Sequence, residues 1–318
     1  MRNNKTSISF MKHLMLLILV AVGITSCSKD DVKIEDPDPV AIDYHQTAPT
    51  QFIDADGAKY AYRVLGDKSG TPLVLVSALG SGMDDWDPAV TNGLAQHYKV
   101  ILFDNKGVGS STGSTPATIA DMAKDAVSFI KALGYTKVNL MGFSMGGFVS
   151  QQIVLTEPGL VNKLILTGTG PKGSEGLSNL PNLLAAGADL SPEERFLSFA
   201  FTASEASRKA GEASWDRSQK RTEDRDAALS NETGVAQLTA VLAWAQPYPD
   251  ALKELSTVTQ PTLIVEGEED IPVPVINSIN MSKAIPNAHL VLYPDAGHAS
   301  FAQYYDKFVH EAISFLNK

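Results

Sequence analysis

The chain has 318 residues, of which 44% are hydrophobic, and its 26 Lys and Arg against 36 Asp and Glu give a formal net charge of −10. This length allows two ordinary domains or one large α/β domain with an insertion. An acidic chain without a Lys/Arg-rich block has no electrostatic attraction to phosphate backbones, so no nucleic-acid partner is expected. The single cysteine, Cys27, excludes an intramolecular disulfide and a zinc site made of cysteine pairs.

Residues 1–26 have the features of an export signal. Arg2, Lys5 and Lys12 supply positive charge without any acid, and the 11-residue run 14–24 is almost entirely apolar. A membrane-spanning helix needs roughly 20 apolar residues, so this shorter run predicts a signal peptide instead.

The predicted signal ends in Ile24-Thr25-Ser26-Cys27. This end resembles the lipobox of bacterial lipoproteins, which implies that Cys27 is lipidated, becomes the mature N-terminus and attaches the protein to a membrane. The alternative is a chance cysteine after an ordinary signal peptide, or a small buried hydrophobic residue. The next four residues, 28–31, resemble the signal that sends lipoproteins of the Bacteroidetes type to the outer cell surface, so we expect an outer-membrane location.

A stretch rich in Pro and Asp follows this end. Residues 27–49 have few apolar side chains to bury, which predicts a flexible acidic tether between the lipid and a folded domain at 50–318.

From about residue 51, short apolar runs alternate with amphipathic stretches. The first two runs flank Asp56-Gly57 and predict a hairpin, because this dipeptide favours tight turns. Several later runs are continuously apolar, as strands buried on both faces require. The predicted strands are 51–53, 59–65, 72–79, 99–104, 137–143, 163–167, 261–266 and 289–293, and the predicted helices are 117–133, 145–156, 275–284 and 301–316. This alternation predicts an α/β fold with a mostly parallel sheet and helices on both faces.

Residues 171–250 interrupt the alternation because they have almost no strand pattern. Ser191-Pro192 begins a helical pattern, with Ser as the N-cap and Pro in the first turn. The segment predicts a helical cap over one end of the sheet. Six aromatic residues in it could line a pocket, although aromatic residues at helical spacing belong more often to a core: Phe196, Phe199, Phe201, Trp215, Trp244 and Tyr248.

The strand at 137–143 runs directly into a G-x-S-x-G motif and then a helix. In this context the motif forms a tight turn that raises the serine, Ser144, at the carboxyl edge of the sheet. The N–H of Met145, at the helix N-terminus, points toward an oxyanion on a bound carbonyl. A second G-x-S-x-G at 109–113 lies in a polar loop, and a G-x-G-x-x-G at 168–173 opens no convincing helix, so we expect neither a second nucleophile nor a nucleotide cofactor.

A serine hydroxyl needs a base held by a third group before it can attack at neutral pH. Of six histidines, His298 is the candidate, because it follows the last strand on a short loop with glycine before it. Asp270, after the preceding strand, is the chosen orienting acid. The adjacent acids Glu268 and Glu269 remain in reserve, and Asp295 would have to fold back onto the histidine.

The order Ser144, Asp270, His298 resembles that of the α/β-hydrolase superfamily, and the resemblance covers the chain from about residue 51 to its end. It implies the α/β-hydrolase fold with a helical cap, and it aligns the loop at 77–80 with the family's oxyanion loop. Leu79 would then supply the second oxyanion N–H. The family begins that loop with His-Gly, whereas this chain has Ser77-Ala78.

The elbow sequence looks most like the branch that contains small-ester hydrolases, enol-lactonases and cofactor-free perhydrolases. The resemblance therefore implies hydrolysis of a small-molecule carboxylic ester through an acyl-enzyme, with no cofactor and no metal. A lactone or a carbon-carbon bond beside a carbonyl is the alternative substrate, and a non-catalytic ligand-binding module is the alternative outside enzymes.

Overall fold

The computed structural model describes residues 42–318. The predicted signal peptide at 1–26, the predicted lipidation site Cys27 and the tether up to residue 41 lie outside the described residues. Within the described part, no helix is both long and apolar enough to span a bilayer.

The described chain forms an eight-stranded sheet in the order β1-β2-β4-β3-β5-β6-β7-β8. The hairpin strands β1 and β2 pair antiparallel with each other, β2 pairs antiparallel with β4, and the remaining pairs are parallel. The strands are β1 Gln51–Ala55, β2 Ala58–Leu65, β3 Leu73–Val76, β4 Val100–Phe103, β5 Val138–Phe143, β6 Val161–Thr167, β7 Thr262–Gly267 and β8 Ala288–Tyr293. All eight predicted strands are confirmed, and all residues of β3 and β4 are buried, as a sheet covered on both faces requires.

Helices cover both faces of this sheet and enclose two apolar clusters. One face carries α3 and α4, and the opposite face carries α2 and α12. Outside the cap the helices are α1 Tyr44–Thr47, α2 Pro88–Ala95, α3 Ile119–Ala132, α4 Met145–Thr156, α9 Ala251–Leu255, α10 Ile276–Ala284, α11 Ser300–Gln303 and α12 Tyr305–Asn317. The sequence predicts one helix over 301–316, but Tyr304 divides it, because its ring stacks on Tyr293 at 4.7 Å and its hydroxyl donates to the Pro294 carbonyl.

The predicted helical cap is confirmed between β6 and β7. It contains α5 Leu180–Ala186, α6 Pro192–Ala200, α7 Glu205–Ser218 and α8 Asn231–Trp244. As predicted, the Ser191 hydroxyl caps α6 by accepting the Glu194 N–H at 3.2 Å.

The predicted tether, 27–49, extends too far along the chain, because residues 44–48 belong to the folded domain. Helix α1 packs on α2, and the buried His45 ring contacts the Thr91 hydroxyl at 2.9 Å. The Arg221 guanidinium, from the chain between α7 and α8, donates to the carbonyls of His45, Gln46 and Ala48 at 2.7 to 2.9 Å. A buried guanidinium needs acceptors, and these carbonyls supply them, so the folded domain begins before residue 49.

We expect Arg221→Met to lower the free energy of unfolding by about 2–4 kcal/mol, because it leaves three carbonyls without their donor in a buried place. It should also open residues 42–50 to protease. Urea denaturation and limited proteolysis measure the two effects.

Arg208→Met is the matched control, since Arg208 pairs with Glu194 at the surface. It should change stability by less than about 1 kcal/mol. Equal stability and equal protease resistance in both variants would contradict the assignment of Arg221.

Candidate active site

Strand β5 passes into helix α4 through a turn that admits only glycine on either side of Ser144. A Cβ at Gly142 would lie 2.4 Å from the Gly146 carbonyl oxygen, and a Cβ at Gly146 would lie 1.9 Å from that of Val76. Ser144 itself takes φ 53° and ψ −118°, a conformation that costs a residue with a side chain free energy. This geometry is the strained elbow that the sequence predicts.

The end of strand β6 and the loop directly after it hold the elbow in place. The Ser144 N–H donates to the Thr167 carbonyl at 3.0 Å, and the Thr169 hydroxyl donates to the Ser144 carbonyl at 2.9 Å. The half-buried Ser144 side chain lines a cavity between the sheet edge and the cap. The turn therefore aims the hydroxyl at this cavity with little freedom of the backbone.

His298 and Asp270 form a buried pair beside this cavity. His298 Nδ1 and Asp270 Oδ2 are 2.7 Å apart, and the two residues are 2% and 5% exposed. The second carboxyl oxygen of Asp270 accepts the Val273 N–H at 2.7 Å. Because a carboxylate only accepts, the shared proton belongs to Nδ1 and leaves Nε2 of the neutral imidazole free to act as a base.

The other acids considered as partners of His298 do not contact it. Glu268 and Glu269 are exposed on the loop after β7. The Asp295 carboxylate accepts hydrogen bonds from Thr202 at 2.7 Å and Ser204 at 2.6 Å, and so anchors the start of α7. Among the described residues, Asp270 alone of these acids bonds to the imidazole.

The two predicted oxyanion donors follow neighbouring strands. Leu79 follows β3 and Met145 begins α4 after β5, and the two strands pair in parallel, with Val76 opposite Gly142. As the first residue of a helix, Met145 has an N–H without an intrahelical acceptor. Leu79 lines the same cavity as Ser144, so the fold brings both predicted donors to the serine's end of the sheet.

The cavity has a volume of about 310 Å³ and a mostly apolar lining. The cap contributes three of the aromatic residues singled out in the sequence, Phe196, Phe199 and Trp215. Two of the others are buried in the core: Trp244 stacks on Phe148 at 5.4 Å, and Phe201 packs against Phe196 at 5.4 Å. The cavity lining also includes Leu177, Leu180, Leu184, Val241, Val273 and Phe301.

The second G-x-S-x-G motif and the G-x-G-x-x-G motif have structural roles. Ser111 of the second G-x-S-x-G is buried, where its hydroxyl donates to the Asp104 carbonyl at 2.7 Å and accepts the Ala61 N–H at 2.9 Å. The G-x-G-x-x-G at 168–173 precedes α5 by several residues and opens no helix. In residues 42–318, no cluster of three or more His, Cys, Asp or Glu side chains is arranged to hold a metal ion.

Glu266 is a site residue that sequence reasoning missed. It is fully buried at the end of β7, where its carboxyl group accepts the Ser278 hydroxyl at 2.8 Å and the Gly267 N–H at 3.1 Å. Burial, and then the charge of Asp270, raise the pKa of Glu266 well above its ordinary value. The signal in the sequence is an acid within an otherwise apolar strand.

The profile of the family described as alpha/beta hydrolase fold matches residues 71–303, around this arrangement of serine, acid and histidine. The chain belongs to the alpha/beta-hydrolase family. A solved alpha/beta hydrolase fold protein from Chitinophaga pinensis is 42% identical, with a TM-score of 0.83 over 86% of this chain and 99% of that one.

Two relatives carry names that describe an activity. A protein named as a carbamate hydrolase, RutD of Variovorax paradoxus, is 26% identical over 261 residues, which is 80% of this chain and 95% of the relative. Est816, described as an N-acyl homoserine lactone degrading enzyme, is 26% identical, with a TM-score of 0.65 over 83% of this chain and 100% of that one. The family and these relatives support hydrolase activity.

We expect Glu266→Gln to change how stability depends on pH. A carboxyl whose pKa is raised on folding binds its proton more tightly in the native state than in the unfolded state. The stability that this proton contributes is complete below pH 4.5 and is lost as the pH rises through the folded pKa. Glutamine cannot ionise, so the variant should gain stability relative to the parent by up to about 1.4 kcal/mol per pH unit between pH 4.5 and the folded pKa, and by no more above that value.

Urea denaturation at several pH values between 5 and 8 measures this difference. Glu268→Gln, on the exposed loop, is the control and should show no such gain. A constant difference between Glu266→Gln and the parent across this range would mean that Glu266 is ionised in the native protein.

Proposed function

We propose that this protein is a serine hydrolase that cleaves a carboxylic ester through an acyl-enzyme, with Ser144 as nucleophile, His298 as base and Asp270 as the acid that orients it. The observation that carries the proposal is the 2.7 Å bond between His298 Nδ1 and Asp270 Oδ2 beside the cavity that the elbow serine lines. Such a constellation is recognised by geometry and role.

Each group has a defined task in this mechanism. Ser144 Oγ attacks the ester carbonyl while His298 Nε2 takes its proton, and Asp270 stabilises the imidazolium that forms. The N–H groups of Leu79 and Met145 hold the oxyanion, each lowering the barrier by about 3 kcal/mol. His298 then protonates the departing alcohol, and a water deprotonated by the same nitrogen releases the acid.

No hydrogen bond joins the Ser144 hydroxyl to His298 within the described part of the chain. In hydrolases without substrate this bond is often long, and it tightens when the substrate arrives. Phe143 and Phe199 pack against the imidazole, with ring centroids 5.0 and 5.5 Å away, and limit its rotation.

The cavity favours an ester with an apolar acyl or alcohol group. Its lining is mostly apolar, and a volume near 310 Å³ suits a small molecule better than a polymer. Est816 is described as acting on a lactone, which is a cyclic ester, so lactone hydrolysis is the second candidate. Hydrolysis of a carbon-carbon bond and ligand binding without turnover predict no cleavage of either ester type, so a panel of linear esters and lactones separates the two ester functions from each other and from these two alternatives.

We expect Ser144→Ala and His298→Ala each to lower kcat by about 10⁴-fold or more on a short p-nitrophenyl ester, because the nucleophile and base act as one unit. Both variants should remain folded by circular dichroism, and Ser144→Ala should lose labelling by a fluorophosphonate.

Ser111→Ala, in the other G-x-S-x-G motif, and His310→Ala, on the exposed side of α12, are the matched controls and should keep most activity. Wild-type activity in Ser144→Ala would move the nucleophile elsewhere. No turnover and no labelling of the parent would favour the binding module.

We propose further that Cys27 carries a lipid that attaches the protein to the outer membrane, with residues 28–41 as part of the tether. The support is the order of basic segment, short apolar run and small residues before the cysteine. Cys27→Ser should move the protein from the membrane fraction to the soluble fraction and abolish incorporation of labelled palmitate. An unchanged distribution in a fractionation with a known lipoprotein as reference would contradict lipidation.

A further inference from the structure

A residue of the cap holds the backbone beside the proposed oxyanion donor. Gln237, on helix α8, accepts the Gly80 N–H through Oε1 at 2.8 Å. Gly80 directly follows Leu79, and Gln237 is fully buried. The cap therefore contacts the oxyanion loop at the next peptide along the chain.

Helix α8 is well anchored for this contact. One turn before Gln237, the Thr233 hydroxyl donates to the Gly107 carbonyl at 2.7 Å. Residues four apart lie on one side of a helix, so Thr233 and Gln237 both face the core. Helix α8 therefore also contacts the core at a point that does not involve the oxyanion loop.

Gln237 also lines a second, small cavity. Because Gly80 donates, the amide oxygen faces Gly80 and Nε2 points the opposite way. The cavity has a volume of about 10 Å³, and Nε2 is one of four buried side-chain atoms on its lining that have no hydrogen-bond partner among the described residues. The other three are Tyr60 Oη, Asn105 Nδ2 and Asp125 Oδ2.

These four atoms match the hydrogen-bonding capacity of one water molecule. Two amide groups donate, whereas the Asp125 carboxyl oxygen and the Tyr60 phenol oxygen can accept. A volume of about 10 Å³ holds one water, and buried waters typically make two to four such bonds. The two amide donors and the Lys106 ammonium, which also lines the cavity and pairs with Asp125 at 3.3 Å, disfavour a cation, and the Asp125 carboxylate disfavours an anion.

We propose that this cavity binds one ordered water and that Gln237 is a positioning residue, which accepts the Gly80 N–H and thereby aims the Leu79 N–H at the oxyanion. The second half rests on the proposed function, because it needs an oxyanion at Leu79. Gln237 touches no reacting atom, so it acts on kcat through the loop. The water site, by contrast, does not depend on any enzymatic activity of the protein.

Gln237→Met removes both polar ends of the side chain at similar length. We expect kcat to fall about 10-fold to 100-fold with KM within 3-fold, because losing an oxyanion donor outright costs roughly 10²-fold to 10³-fold in kcat. Gln237→Glu keeps the acceptor for Gly80 and should retain kcat within about 3-fold. Hydrogen exchange of the Gly80 amide should quicken in Gln237→Met only.

Two controls separate positioning from packing. Thr233→Val removes the other anchor of α8, and Tyr60→Phe removes one partner of the water; both should lower the melting temperature and leave kcat within 3-fold. If Thr233→Val lowers kcat as much as Gln237→Met does, or if Gly80 exchange is unchanged in Gln237→Met, Gln237 is only a packing residue.

A high-resolution crystal structure tests the water directly, with density expected between the four atoms in the parent. Its absence there would overturn the water site. If the parent hydrolyses no ester but shows this density and the change in Gly80 exchange, the proposed function fails while the water and the loop contact stand.

Discussion

Helix α4 crosses strands β3 and β5 with backbone almost touching backbone, and the site depends on this crossing. The space at Gly142 and Gly146 is filled by main-chain atoms, so no other residue fits without moving a strand. At this separation the chain passes from strand to helix through one left-handed residue, and that residue is Ser144. Its conformation costs about 1 kcal/mol or more, which the surrounding sheet must offset.

The parallel arrangement of the sheet then collects the other groups. The loops after β3, β5, β7 and β8 all leave the same edge, and they carry Leu79, Ser144, Asp270 and His298. Parallel strands ending at one edge form a crevice there, which is the usual place for a ligand in such sheets. The antiparallel hairpin of β1 and β2 contributes none of these four residues.

Local patterns in the sequence were enough to predict the strands, the elbow and the cap, because each depends on residues close in the chain. The choice among the acids at 268–270 was open from sequence alone, since the conformation of the loop decides which one turns inward; in the structure, the Val273 N–H holds Asp270 there. The contacts of Arg221 with residues 45–48 join positions more than 170 apart, and that of Gln237 with Gly80 joins positions 157 apart. Periodicity and spacing in the sequence do not reveal such long-range pairs. The departure from the family's His-Gly at 77–78 likewise did not indicate that the cap supports the oxyanion loop.

Two carboxyl groups lie at this end of the sheet, that of Glu266 within β7 and that of Asp270 on the loop after it, and their surroundings separate their roles. Asp270 accepts from an imidazole N–H and a backbone N–H, which suits the carboxylate form. Glu266 has no ion pair with Lys or Arg among the described residues, and burial, followed by the charge of Asp270, raises its pKa well above the ordinary value. Because burial disfavours the charged form of Glu266, it reduces the like-charge repulsion that a second carboxylate would exert on Asp270. Glu266 is thus compatible with the neighbouring Asp270–His298 pair, because its burial opposes a second negative charge there.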